Sequence, residues 1–152
     1  MATAADVTLS DLHAPKEASI TAFTSALPEI KRKLLYHRHQ DNIHDKGYFR
    51  AVASVDNKDL ESFTASDLEA VRVGSTAYGL HLFCKVALPA APGSYIHVRL
   101  FIAAEDGTDG ASLEDRVATV HCIHTEEVVK EGAPREYRAI FGKEDALEWF
   151  DT

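Results

Sequence analysis

The segments YGLHLFCKVAL at residues 78–88, PAAPGS at 89–94 and YIHVRLFI at 95–102 decide the fold class. In the first, Leu80, Leu82, Cys84, Val86 and Leu88 take every even position, while Gly79, His81 and Lys85 are among the odd ones. In the last, Ile96, Val98, Leu100 and Ile102 alternate with Tyr95, His97, Arg99 and Phe101. Side chains along a strand point to opposite faces in turn, so each segment reads as a strand with one apolar face. The proline- and glycine-bearing connector makes a turn, and the pair forms a long antiparallel hairpin.

Downstream, Glu105 to Gly110 reads as a loop, Arg116 to Val129 as a third long strand, and Glu131-Gly132-Ala133-Pro134 as a turn. Tyr137 to Phe141 and Ala146 to Phe150 complete the sheet. Upstream, residues 1–13 lack periodicity and read as a flexible arm, leaving 14–152 as a single domain. Pro15 suits a first helical turn, and Ile20, Phe23 and Leu27 mark one face of a helix. Proline is costly inside a helix, so Pro28 is expected to divide this region into a short helix ending near Ala26 and a second from Pro28 to Asp45, closed by Gly47. Tyr48 to Val55 reads as a strand. Leu60, Phe63, Leu68 and Val71 recur at helical steps, with Ser66-x-x-Glu69 in the form of a capping box, so short helices are expected before Gly74. The result is an α+β fold: N-terminal helices packed on a curved antiparallel sheet of four to six strands. Long strands curl, and helices across the concave side leave a cone that either fills with side chains or holds a ligand.

Composition removes several function classes. The 152 residues are 45% hydrophobic with a formal charge of -8, and the longest basic run is Lys31-Arg32-Lys33. Neither nucleic acid nor an anionic membrane is an expected partner. No stretch has the length of a membrane span, the start lacks a signal-peptide pattern, and a cytoplasmic protein is expected. Cys84 and Cys122 each sit inside an apolar run outside any Cys-x-x-Cys pair, which suggests reduced thiols. Nucleotide-cradling glycine motifs, His-Glu-x-x-His and Gly-x-Ser-x-Gly are absent, so no cofactor or metal is expected.

The candidate chemistry lies where an apolar helical stripe turns polar. Ile30 and Leu34 are followed at steps of three or four residues by His37, Asp41 and His44. A carboxylate one turn from an imidazole can set its tautomer for general acid-base work. Alternatively, the helix end emerges into water with Arg38, Gln40, Asp41 and Asn42 as a solvated tip. Metal binding by the three is a further option, although consecutive helical positions make an awkward ligand set. On the third strand, alternation through Ala118, Val120 and Cys122 turns His124 inward and His121 outward, unless a bulge reverses the choice. The catalytic candidates are His37, Asp41 and His124. His44, Tyr78, Leu82, Leu100, Cys122 and Trp149 are candidates for lining a ligand pocket. The opposite sheet face, His81, Lys85, Tyr95, His97, Arg99 and Phe101, suits an outer surface or a homodimer contact.

The order of elements over about residues 16–151, with the closing segment from Gly142-Lys143 through Trp149-Phe150-Asp151, resembles the nuclear-transport-factor-two-like branch of the cystatin-like superfold. That branch includes scytalone dehydratase, polyketide cyclases and ketosteroid isomerases. The resemblance implies a cofactor-free lyase, isomerase or cyclase acting on an apolar, carbonyl-containing small molecule of polyketide, terpenoid or steroid-like kind. Pro28-Glu29-Ile30 and the strand from Tyr95 to Phe101 are also similar to stefin-type cystatins. The alternative is therefore a non-enzymatic binding protein, either an adaptor or a cysteine-protease inhibitor that inserts a turn at Val71 to Ser75. The segment Ala70-Val-Arg-Val-Gly74 lacks the glutamine of the cystatin Gln-x-Val-x-Gly hairpin.

Overall fold

In the computed structural model, which describes residues 7–103 and 118–152, the hairpin read from the alternation is the centre of the molecule. Strand β2 (Gly79–Ala87) pairs antiparallel with β3 (Ser94–Ala103), placing Leu82 opposite Leu100 and Cys84 opposite Val98 on one face. Phe83 opposite Arg99 and Lys85 opposite His97 occupy the other. Strand β1 (Leu68–Thr76) flanks β2, while β4 (Thr119–Ile123) and the short β7 (Phe141–Gly142) share the far edge of β3. A separate two-stranded ribbon joins β5 (Glu126–Val128) to β6 (Glu136–Arg138). The expected loop at Glu105 to Gly110 and the start of the strand expected from Arg116 lie outside the described residues.

One helix covers the sheet's first face. Helix α1 (Glu17–His44) runs unbroken through Pro28, correcting the expected division at that residue. Pro28 and Thr24 are both exposed, so the carbonyl freed by the missing N–H lies on the solvent side, while Phe23, Ala26 and Ile30 hold the turns on either side in the core. The concave space beneath α1 is packed with Phe23, Ile30, Leu34, Leu82, Val98 and Leu100. Of the two fates open to the cone, it is filled. Leu82 and Leu100 are fully buried core residues, which corrects their assignment to a ligand pocket.

Between α1 and β1 the chain is irregular. Tyr48 to Val55 makes turns and a 3-10 turn at Arg50–Val52 in place of the expected strand. Helix α2 (Asn57–Leu60) and a 3-10 turn at Ala65–Asp67 follow, and the capping box belongs to Thr64 and Asp67, not to Ser66 and Glu69. Leu68 and Val71, expected on a helix, begin β1. Val71 to Ser75 is thus strand, and the hairpin tip falls at Ala77-Tyr78, which removes the turn expected of an inhibitor. Tyr78 is 69% exposed at that tip and lines neither of the clefts described below, correcting its place among the ligand contacts.

The second sheet face is not an open surface. Residues 143–150, partly expected as a strand, form an irregular strap across it. Three cationic side chains on the sheet hold the strap by its main-chain oxygens. Arg72 donates to Leu147 at 2.8 Å, Lys85 to Lys143 and Asp145 at 2.9 and 2.6 Å, and Arg99 to Phe150 at 3.0 Å. Phe83, Leu147 and Phe150 form a small second core there, with Leu9 and Trp149 against it. Of the six residues expected to be an outer or homodimer face, His81, Lys85, Tyr95, His97 and Arg99 are buried on this strapped side and Phe101 is half-buried. Within the expected flexible arm, Leu9 and His13 bridge to Gly74 and Val71 of β1. Gly74 lies beneath this arm, and a Cβ there would come within 2.7 Å of Val7.

Candidate functional site

A bulge in β4 decides where the candidate residues go. Thr119 and Val120 pair with Phe101 and Leu100, but Cys122 and Ile123 pair with Arg99 and Val98, so one residue is inserted at His121. Each side chain after an inserted residue changes face. Cys122 consequently packs with the second core, and His124, whose amide bonds the His97 carbonyl at 2.8 Å, sits beside His97 on the strap side. The inward orientation expected of His124 is thereby reversed. The sheet separates His124 from His37 and Asp41.

The end of α1 carries its own cleft of about 270 Å³, lined by His37, Gln40, Asp41, His44, Lys46, Tyr48, Phe49 and Thr125. His37 is half-buried, and burial together with Lys33 lowers its pKa. Asp41 does not serve as its orienting acid. Its carboxylate accepts from the amides of Gly47, Tyr48 and Phe49 at 3.0, 3.2 and 3.2 Å, tying the chain that leaves the helix. His44 is exposed. The buried stripe Ile30, Leu34 continues at Arg38, which donates to the Val52 carbonyl at 3.1 Å. The charged group on the core side is thus a guanidinium holding a loop, and the proposed imidazole-carboxylate pair is not formed.

Under the strap a second cleft of about 380 Å³ is lined by His97, His124, Glu126, Arg138, Phe141, Asp145, Ala146, Glu148, Trp149 and Phe150. Its imidazoles are held flat by aromatic stacking. His97 and His124 lie parallel to Phe141 with ring centres 4.5 and 5.1 Å away, and His124 stacks on Phe150 at 4.4 Å. His97 is 2% exposed, and its Nε2 has no hydrogen-bond partner among the described residues. Burial, reinforced by Lys85, His124 and Arg138 and opposed by Asp145, pushes its pKa down to about 3, so the ring is neutral near pH 7.

His124 is oriented from both sides. Its Nδ1 donates to the Thr152 backbone oxygen at 2.5 Å, which leaves Nε2 as the basic nitrogen, 3.6 Å from Glu126 Oε2. Arg138 pairs with Glu126 through Nε and with both oxygens of Asp145 through its two terminal nitrogens, at 3.4 and 3.3 Å. The Gly142 amide, at 2.6 Å, and Arg138 hold Asp145 below the usual carboxylate range. Trp149 forms one wall and stacks its ring on Arg99 at 4.4 Å.

Of the residues singled out by sequence, this cleft brings together His124 and Trp149, and the cleft at the helix end brings together His37, Asp41 and His44. Tyr78, Leu82, Leu100 and Cys122 line neither. Sequence reasoning missed His97, which it gave to an outer face, and passed over Glu126, Arg138 and Asp145. The adjacent pair His121-Cys122 was the one signal, since a residue inserted there exchanges the faces.

Cys84 and Cys122 are free thiols, pushed by burial up to about 12 and about 11, and are therefore poor nucleophiles. Among the described residues no group of three or more His, Cys, Asp or Glu is placed to hold a metal ion. No described helix is long and apolar enough to cross a membrane. No family model matches the chain, and neither a curated protein nor a solved structure matches it.

Proposed function

We propose that the protein is a cofactor-free lyase, isomerase or cyclase of small carbonyl compounds, working by proton transfer in the cleft beneath the strap. The observation that carries this reading is the neutral, unpartnered, buried imidazole of His97 beside the oriented imidazole of His124. A carbonyl that displaces the packing over the buried His97 Nε2 would accept a hydrogen bond from a donor that stays uncharged, the role a depressed imidazole plays in polarising a carbonyl. His124 takes the proton from the neighbouring carbon on Nε2, and Glu126 stabilises the imidazolium that forms. Phe141, Trp149 and Phe150 supply the apolar walls for such a compound. The order of one long helix before an antiparallel meander supports the cystatin-like resemblance, with the reacting site moved from the concave side to the opposite face. A cytosolic setting belongs to this reading, and the two free thiols are compatible with it.

Exchange of the α-protons of cyclohexanone in deuterium oxide, followed by proton NMR, tests the proposal without knowledge of the natural substrate. The protein is expected to accelerate exchange beyond an equal concentration of free imidazole. His124→Gln and His97→Gln should each lose at least about tenfold of that acceleration, whereas His37→Gln keeps it. Exchange no faster than with free imidazole, or loss confined to His37→Gln, removes the assignment.

A further inference from the structure

The charges around the strap-side cleft define what it admits. Arg138 is the only cation among its lining residues, and its Nε and both terminal nitrogens are committed to Glu126 and Asp145. Lys85 and Arg99 lie buried beneath the strap, where Lys85 donates to the main-chain oxygens of Lys143 and Asp145, and the terminal nitrogens of Arg99 are taken by the Phe150 oxygen, the Asp151 carboxylate and His81 Nδ1. His97 is uncharged near neutral pH. Glu148, in contrast, is exposed and makes no ion pair or hydrogen bond among the described residues, so the uncommitted charge at the cleft is a carboxylate. An incoming carboxylate or phosphate would meet that like charge and would have to break an existing ion pair to find a cation.

From this arrangement we infer that the cleft is selective for uncharged or amine-bearing ring compounds and rejects anionic ones, with Glu148 as the residue that sets the selectivity. The inference rests on the proposed function for the location of the site and narrows its substrate class. Keto acids, phosphate esters and acyl thioesters of phosphorylated carriers fall outside that class. Uncharged cyclic ketones and their amino derivatives fall within it. Trp149 and Phe150 give the cleft an apolar wall suited to a ring.

Trp149 is the only tryptophan in the chain and lines the cleft, so its emission reports occupancy directly. Three probes on one scaffold, cyclohexylamine, cyclohexanone and cyclohexanecarboxylate, are titrated against the full chain, with saturation-transfer NMR as a second readout of binding. The ammonium compound should bind tightest and the carboxylate weakest, the two ends differing by at least about fivefold. Glu148→Lys should reverse the order of the two charged probes and leave cyclohexanone nearly unchanged, and Glu148→Gln should bring the charged probes together. A carboxylate that binds the wild type as tightly as the amine overturns the inference, as does an order indifferent to Glu148 or the absence of binding by all three. Because this measurement reads no turnover, the expected order without α-proton exchange would keep the selectivity and discard the proton-transfer reading.

Discussion

A single buried imidazole ties the chemistry of the cleft to the stability of the protein. His97 has a folded pKa of about 3 against an ordinary value of 6.5. Between those values the unfolded chain binds a proton that the folded ring refuses, so stability falls as pH drops through this window, by about 1.4 kcal/mol per unit at most for one group. His37, His81 and His121 are also lowered by burial and act in the same direction. Urea unfolding at a series of pH values below 6.5 should therefore give a steadily declining free energy, and His97→Gln should flatten that slope without abolishing it. An unchanged slope would mean that His97 is hydrated in solution. The face His97 occupies was legible in the alternation of β3, but its burial was not. Burial depends on a tail some fifty positions later in the chain, and no local pattern around Tyr95 to Phe101 encodes that contact. His124 shows the complementary difficulty, since one inserted residue at His121 exchanged the side it faces.

At the scale of elements, the end of α1 shows how a residue suited to catalysis is used for architecture. Asp45 closes the helix in the left-handed conformation at φ 53°, and the Asp41 carboxylate gathers the next three amides after Lys46. Those amides have no strand or helix partner, because the chain turns sharply to bring Phe49 and Val52 into the core. Asp41→Ala should cost about 2 kcal/mol in thermal or urea unfolding, and Asp41→Asn about half as much, because one acceptor oxygen remains. Neither change should alter α-proton exchange once the folded fraction is accounted for. An effect on exchange larger than the effect on folding would return Asp41 to the catalytic set. The helical spacing of Ile30, Leu34, His37 and Asp41 was readable, as were strands β2 and β3. Periodicity did not distinguish a carboxylate facing a cavity from one facing its own backbone, because both sit at the same angle on the helix. Pro28 misled for a related reason: the cost of an interior proline falls when the freed carbonyl faces water.

The whole molecule is a sheet between two unequal layers. On one side α1 closes a continuous apolar core, and on the other the strap rests on a small cluster of Phe83, Leu147 and Phe150, with Leu9, Cys122 and Trp149 against it, and on side-chain bonds to its carbonyls. Lys85 and Arg99 are buried beneath it, and the carboxylate that pairs with Arg99 among the described residues, Asp151 at 2.9 Å, is 64% exposed. A layer held by few apolar contacts and by solvent-reachable bonds opens at lower free energy than the core it covers. Trp149 emission follows the strap, and far-ultraviolet circular dichroism follows α1. In urea the emission transition is expected to precede the loss of ellipticity, and cyclohexanone should move the first transition toward the second, since a ligand of the cleft binds only the closed form. Arg99→Met should lower the first midpoint and shift the second much less, because the guanidinium ties the Phe150 carbonyl without entering the helix-side core. Coincident transitions in both proteins would show that the strap belongs to the main cooperative unit. The cleft would then be a fixed feature of the fold, and substrate would have to enter without the strap lifting.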